Sequence, residues 1–176
     1  SATIKLKPSE CSSAIEALLD VNLAVAKSGG DRRGLFLWGA PGTAKSSVVK
    51  QTAKKRNFKV IDIRLTQMDP TDLRGIPVPS GLGTDNVEVH WAIPAMLPKR
   101  DEGSRLATLE KDPWDIDNSL EGLTPTGKPR SHYWDGAIIL LDELPNAAPS
   151  VQAGSYQLVL DGQLGEYYVP DNVVVM

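Results

Sequence analysis

The sequence predicts an α/β fold, a mostly parallel sheet with helices on both faces, and three observations carry that prediction. Ala137-Ile-Ile-Leu-Leu141 is apolar at every position, as a central strand covered by helices on each side must be. Phe58 to Leu65 is a second buried-strand run with β-branched Val60, Ile61 and Ile63. Gly34-Leu-Phe-Leu-Trp38 is a third, and it leads through a glycine-rich loop into Lys45 to Arg56, where Val48, Val49 and Ala53 fall at helical spacing. A terminal strand is predicted at 172 to 176, within Asn172-Val-Val-Val-Met176.

The first element is a helix from Ser9 to Lys27, with Ile15, Leu18, Leu19, Asn22, Val25 and Ala26 on one stripe. Pro8 marks its start and Gly29-Gly30 its stop. Polar Thr66 and Gln67 end the second strand and read as the start of a loop, with sensing of a bound γ-phosphate by one of them as the alternative. Asp69 to Pro79 holds three prolines and a glycine, which excludes long regular structure. Val87, Val89 and Trp91 alternate with Glu88 and His90, the pattern of a strand with one covered face. Pro149 to Leu160 reads as a helix that Asp161-Gly162 terminates.

One domain is expected over residues 1–176, because 176 residues with 41% hydrophobic content suffice for one sizeable core. Residues 99–135 depart from the pattern of that core. Eight acidic residues and repeated Pro and Gly interrupt any periodicity there, so this stretch reads as a surface insertion, either a partner-specific surface or a loop packed on its own domain. Its aromatics Trp114, Tyr133 and Trp134 are expected to pack against something.

The net charge of −3 excludes whole-chain attraction to nucleic acid or an anionic membrane. Lys50, Lys54, Lys55 and Arg56 read as the solvated face of a helix. Cys11 is the single cysteine, so no disulfide framework exists, and scattered Cys11, His90 and His132 offer no metal-ligand spacing. With no apolar run near ~18 residues and no signal-peptide pattern, a soluble cytoplasmic protein is expected.

The chemistry concentrates in two places. Gly39-Ala-Pro-Gly-Thr-Ala-Lys-Ser46 lies between a predicted strand and a predicted helix. A polyphosphate site needs a strand that delivers the loop, glycines where the main chain approaches, and a helix N-terminus whose N–H groups face the anion. The loop departs from G-x-x-x-x-G-K-[ST] at Ala44, where the template has glycine. Ordinary helical angles are expected there, which a methyl group tolerates, with positive φ assigned to Gly39 and Gly42. Lys45 would neutralise the β- and γ-phosphates and the Ser46 hydroxyl would ligate Mg²⁺.

The second place is Asp142-Glu143, at the carboxyl end of the all-apolar run, the edge where a doubly wound sheet binds ligands. Asp142 is a candidate metal residue beside Ser46, and Glu143 a candidate base for an attacking water. A glutamate next to a metal-binding aspartate suits hydrolysis better than transfer to an acceptor. A P-loop phosphotransferase stays open as an alternative.

Together with Asp72-Leu-Arg-Gly75, Trp91-Ala-Ile-Pro-Ala-Met-Leu-Pro98 and Ala148-Pro-Ser-Val-Gln152, these motifs resemble the MoxR family of AAA+ ATPases, bacterial or phage type, across most of residues 10 to 176. Alanine before the loop lysine also occurs in that family. The resemblance implies a P-loop NTPase with an AAA+ core, using ATP and Mg²⁺, that forms a ring, commonly a hexamer, and remodels or assembles partner proteins. Those clients often carry a von Willebrand factor A domain. It implies nucleotide contacts from Gly39, Ala40, Pro41, Gly42, Thr43, Ala44, Lys45, Ser46 and Ser47, catalysis by Glu143 and Lys45, and metal binding by Ser46 and Asp142. It also implies a short helix and a hairpin after Asp69, facing the ring's central surface, with Asp72 and Arg74 either contacting a client or neighbour or pairing locally. Thr3 to Lys7 would border the adenine or else form a loose terminus. Pro145 stands where relatives tend to have asparagine, with Asn146 one place later. Sensor 1, the arginine finger, sensor 2 and the helical lid would follow Met176. A nucleotide-binding scaffold module with little hydrolysis is the second alternative.

Overall fold

The computed structural model describes residues 5–37, 44–83 and 85–176. In chain order the main elements are α1 (Pro8–Ser28), α2 (Lys45–Lys55), β1 (Phe58–Arg64), α3 (Pro70–Arg74), β2 (Ile76–Ser80) and β3 (Glu88–Ala92). They continue with β4 (Leu109–Glu110), β5 (Tyr133–Trp134), β6 (Gly136–Asp142), α4 (Pro149–Asp161), β7 (Gln163–Leu164), β8 (Tyr167–Tyr168) and β9 (Val173–Val175).

The main sheet has the order β1-β6-β9 and is parallel throughout. Its middle strand justifies its composition. Ala137, Ile139 and Leu141 face one cluster with Ile63, Val173 and Val175 of the neighbouring strands and Val151, Leu158 and Val159 of α4. Ile138 and Leu140 face the other, with Ile15 and Leu19 of α1 and Val49 and Ala53 of α2. Each large apolar side chain buried this way contributes about 1.5–3 kcal/mol. Polar residues on both helices serve the packing: Asn22 closes a pair of bonds with the main chain of Arg33, and Ser12 meets Thr52 across the α1–α2 contact. Among the described residues no helix is long and apolar enough to cross a membrane.

The expected strand at 34–38 does not form: residues 31–37 have no regular structure, and Trp38 lies outside the described residues. Leu35 and Leu37 still pack on the α1–α2 side. The edge of β9 that such a strand would need is partly taken, because the Arg32 guanidinium donates to the Val173 carbonyl at 2.9 Å. Of the residues expected near an adenine, Thr3 and Ile4 lie outside the described residues.

The short helix and hairpin after Asp69 do form. Asp72 accepts from the Asp69 N–H at 2.7 Å, so it shapes the start of α3 locally. The hairpin departs from expectation in its burial. Val87 and Val89 are exposed, as are Ile76 and Val78 on β2, and of the face expected to be covered Trp91 is partly buried.

The stretch 99–135 is packed on its own sheet. Asn57 Nδ2 donates to the Tyr133 carbonyl, the Asp135 N–H donates to the Asn57 carbonyl, and the buried Asn172 side chain bonds both backbone groups of Ala107. Gly136, next to this junction, has no room for a side chain, since a Cβ would lie 2.1 Å from the Asn172 carbonyl. Of the three aromatics, Tyr133 and Trp134 are half-buried, with the Lys111 ammonium 4.7 Å over the Trp134 ring. Trp114 corrects the expectation: it is 81% exposed, standing on a single 3₁₀ turn at 113–115.

Candidate functional site

Strand β6 delivers Asp142 to the carboxyl edge of the sheet, opposite Arg64, the last residue of β1. Glu143 follows in the left-handed region, at φ 60° and ψ 31°. A side chain in that conformation costs roughly 1–2 kcal/mol, and the Glu143 N–H recovers part of it by donating to Asp142 Oδ1 at 2.9 Å. A one-turn 3₁₀ helix, Leu144–Asn146, then leads to α4 with Pro145 inside it. Strained, partly exposed acidic residues at a strand end recur at functional sites.

The Glu143 carboxylate accepts a bond from Thr66 Oγ1 at 2.5 Å. Thr66 sits in the 3₁₀ turn Leu65–Gln67 just after β1, so this bond ties the carboxyl ends of the two neighbouring strands. The sequence favours a simple loop start at Thr66, with γ-phosphate sensing as the alternative, and does not reveal its bond to Glu143. The available signal was a hydroxyl residue directly after a strand that pairs with the Asp142 strand, and the pairing is invisible before folding.

Helix α2 reaches the same edge from the other side. It runs back to feed β1 through Arg56 and Asn57, with Lys50 Nζ 3.4 Å from Asp62 of β1, so its N-terminus points to the carboxyl ends of the parallel strands. Lys45 and Ser46 are half-buried there and Ser47 is exposed. Gly39, Ala40, Pro41, Gly42 and Thr43 lie outside the described residues.

Ala44 overturns the expectation of helical angles: its φ is 58° and ψ 19°, in the left-handed region. Glycine adopts that conformation without a Cβ penalty. The template glycine is thereby explained, and alanine here carries strain. The helix start receives no side-chain cap from Ala44, and its first turn holds no acidic residue. Such N–H groups, at the positive end of the helix dipole, fit an anion.

Among the described residues no group of three or more His, Cys, Asp or Glu is arranged to hold a metal. A cation at this edge would therefore depend on few protein oxygens, and Ser46 and Asp142 are of the hard-oxygen type that Mg²⁺ takes when phosphates complete its shell.

A parallel sheet with adjacent carboxylates on its carboxyl edge, met there by the uncapped N-terminus of a helix that a glycine-rich loop precedes, defines a P-loop nucleotide-binding domain. The chain matches the AAA domain of the dynein-related subfamily over residues 34–166 and belongs to that family of AAA+ ATPases. The match runs from the glycine-rich loop through both acidic residues and α4. No curated protein and no solved structure matches the chain significantly.

Proposed function

We propose that the chain is the ATP-hydrolysing core of a MoxR-like remodeller, which uses hydrolysis to change the conformation or assembly of a partner protein. The observation that carries the hydrolytic part is the Asp142-Glu143 pair with Glu143 turned left-handed and bonded to Thr66. When bound, Mg²⁺-ATP supplies an electrophilic γ-phosphorus and a good leaving group. The residues Gly39 to Ser47 bind the phosphates, Lys45 countering their charge, while Ser46 and Asp142 would hold the cation. Glu143 then orients a water and takes its proton. Thr66 sets the direction of that carboxylate, since a bond to its hydroxyl favours one rotamer of Glu143 over those that swing into solvent.

A ring, hexameric in this reading, and a client with a von Willebrand factor A domain follow from the MoxR likeness, and the single cysteine suits a cytoplasmic setting. The exposed apolar hairpin supports a role at a protein surface.

Glu143→Gln tests the hydrolytic reading. It should lower kcat at least about 100-fold and leave nucleotide affinity within about threefold, checked by phosphate release and equilibrium binding. Retained phosphate transfer to a small acceptor in that variant would instead favour a phosphotransferase. The Thr66 bond also favours a second reading, a scaffold module whose base is held out of use. Phosphate release per subunit that rises with protein concentration supports the ring, and a flat rate near zero supports the scaffold.

A further inference from the structure

At the opposite, amino edge of the sheet, Arg32, Arg100 and Arg105 line a cavity of about 420 Å³. Arg32 donates from Nη1 to the Val173 carbonyl at 2.9 Å and from Nη2 to the Val169 carbonyl at 3.2 Å, with Pro170 at 3.4 Å. Arg100 Nη2 donates to the same Val169 carbonyl at 3.2 Å. Two guanidinium groups therefore converge on one oxygen, an arrangement that like charges disfavour.

No carboxylate forms a close ion pair with Arg32 or Arg100 among the described residues, and Asp171 acts on Arg32 only from a distance. Asp171 is engaged by Arg105, which donates to its two oxygens at 3.0 and 3.3 Å. Asp31 and Asp161 also line the cavity but pair with neither arginine. Arg100 Nε is buried with no acceptor, and the Tyr168 ring lies 5.3 Å from its guanidinium carbon. Burial lowers the Arg32 pKa, with Arg100 and Arg105 adding to that and Asp171 opposing it. The fold makes room for Arg32 here: a Cβ on Gly162 would stand 2.4 Å from its Nε.

We propose that this cavity binds a tetrahedral oxyanion of the phosphate type, bridged between Arg32 and Arg100 with Arg105 at the rim. Two guanidinium groups gathered at one carbonyl, with Arg100 Nε left without an acceptor, match the charge and the several oxygens of a tetrahedral dianion, whereas a carboxylate is satisfied by one fork. Val173 pairs with Ala137 at the amino end of β6, so the cavity is about 15–20 Å of strand away from Asp142. It is a separate site from the glycine-rich loop.

The test is thermal unfolding of the full chain in sodium phosphate or sodium acetate at equal ionic strength, with Lys45→Ala to weaken the loop and Arg100→Gln to weaken the cavity. Phosphate at 10 mM should raise the Tm of the unmodified chain and of Lys45→Ala by about 2 °C or more, and Arg100→Gln should lose most of that rise. No rise, an equal rise with acetate, or a rise lost in Lys45→Ala and kept in Arg100→Gln overturns the proposal. Should Arg100→Gln not fold, phenylglyoxal labelling of the unmodified chain decides. Phosphate or glycerol phosphate should slow labelling of Arg100 at least about threefold by mass action, and acetate should not. Glycerol phosphate protecting as well as phosphate identifies an ester as ligand, phosphate alone identifies the free ion, and equal labelling in all three salts refutes the site.

Discussion

Two excursions leave the main sheet, the hairpin over 76–92 and the stretch over 99–135, and they end in different states. The hairpin pairs five residues with five, yet Ile76, Val78 and Val89 stay 61%, 48% and 55% exposed. Beside its base, Met68, Ile76, Ile93 and Met96 line an open groove of about 550 Å³. The longer stretch contains only two-residue strands and single turns, but it is fastened to the core by side chains that complete its backbone bonds. Asn57 serves Tyr133, Asn172 serves Ala107 and Asp135, and Arg105 reaches Asp171. A backbone without regular structure docks where the core offers polar side chains to satisfy it. A regular hairpin satisfies its own backbone and can stand in solvent with its apolar side chains unpaired.

The largest effect is expected where the docking is densest. Asn172→Ala removes the acceptor for the Ala107 N–H and the donor for the Ala107 and Asp135 carbonyls. Each buried group left unpaired costs about 1–3 kcal/mol, so with three groups affected the variant should lose at least about 3 kcal/mol by urea unfolding, and limited proteolysis should then cut within 99–135. A loss under about 1 kcal/mol would show that apolar contacts, rather than these bonds, hold the stretch in place.

This contrast also explains what was legible in the sequence. The middle strand could be read because Ala137 to Leu141 are apolar on both faces, a pattern that only a covered position accounts for. Asp142 and Glu143 could be read because two carboxylates at the end of such a strand have no packing role. The docking of 99–135 could not be read, since Asn57 and Asn172 are ordinary polar residues until folding places carbonyls around them. The strand expected at 34–38 does not form although its composition fits, and the bond from Arg32 to the Val173 carbonyl on that edge was likewise not legible, since the two are distant in sequence. The bond between Thr66 and Glu143 is not legible because it spans 77 positions, and the left-handed conformation of Ala44 is not legible because composition does not print a dihedral angle.

Ala44 gives a smaller, sharper test, on an edge that is neither fastened nor free. If its left-handed conformation is the reason templates carry glycine, Ala44→Gly should remove the Cβ penalty while losing some backbone entropy, for a net gain of about 0.5–1 kcal/mol. Urea unfolding of the nucleotide-free chain measures it. A destabilised variant would mean that the alanine methyl makes a contact worth more than the strain.

The smallest effect belongs to the hairpin. Val78 and Val89 lie on adjacent strands but opposite faces, because Val78 pairs with His90 and Val89 with Pro79, so replacing both samples the two surfaces at once. Val78→Ser with Val89→Ser removes apolar atoms that are already half in water, and surface changes of this kind stay within about 0.5 kcal/mol. Serine lowers strand propensity slightly at each place, so the shift should be a small loss. Unchanged urea midpoint and slope, with unchanged phosphate release at one protein concentration, are the expected results. A loss above about 1 kcal/mol would mean that the hairpin is covered in solution. Dependence of that loss on protein concentration would then separate the two sources of cover: a second copy of the chain makes stability rise with concentration, and packing within one chain does not.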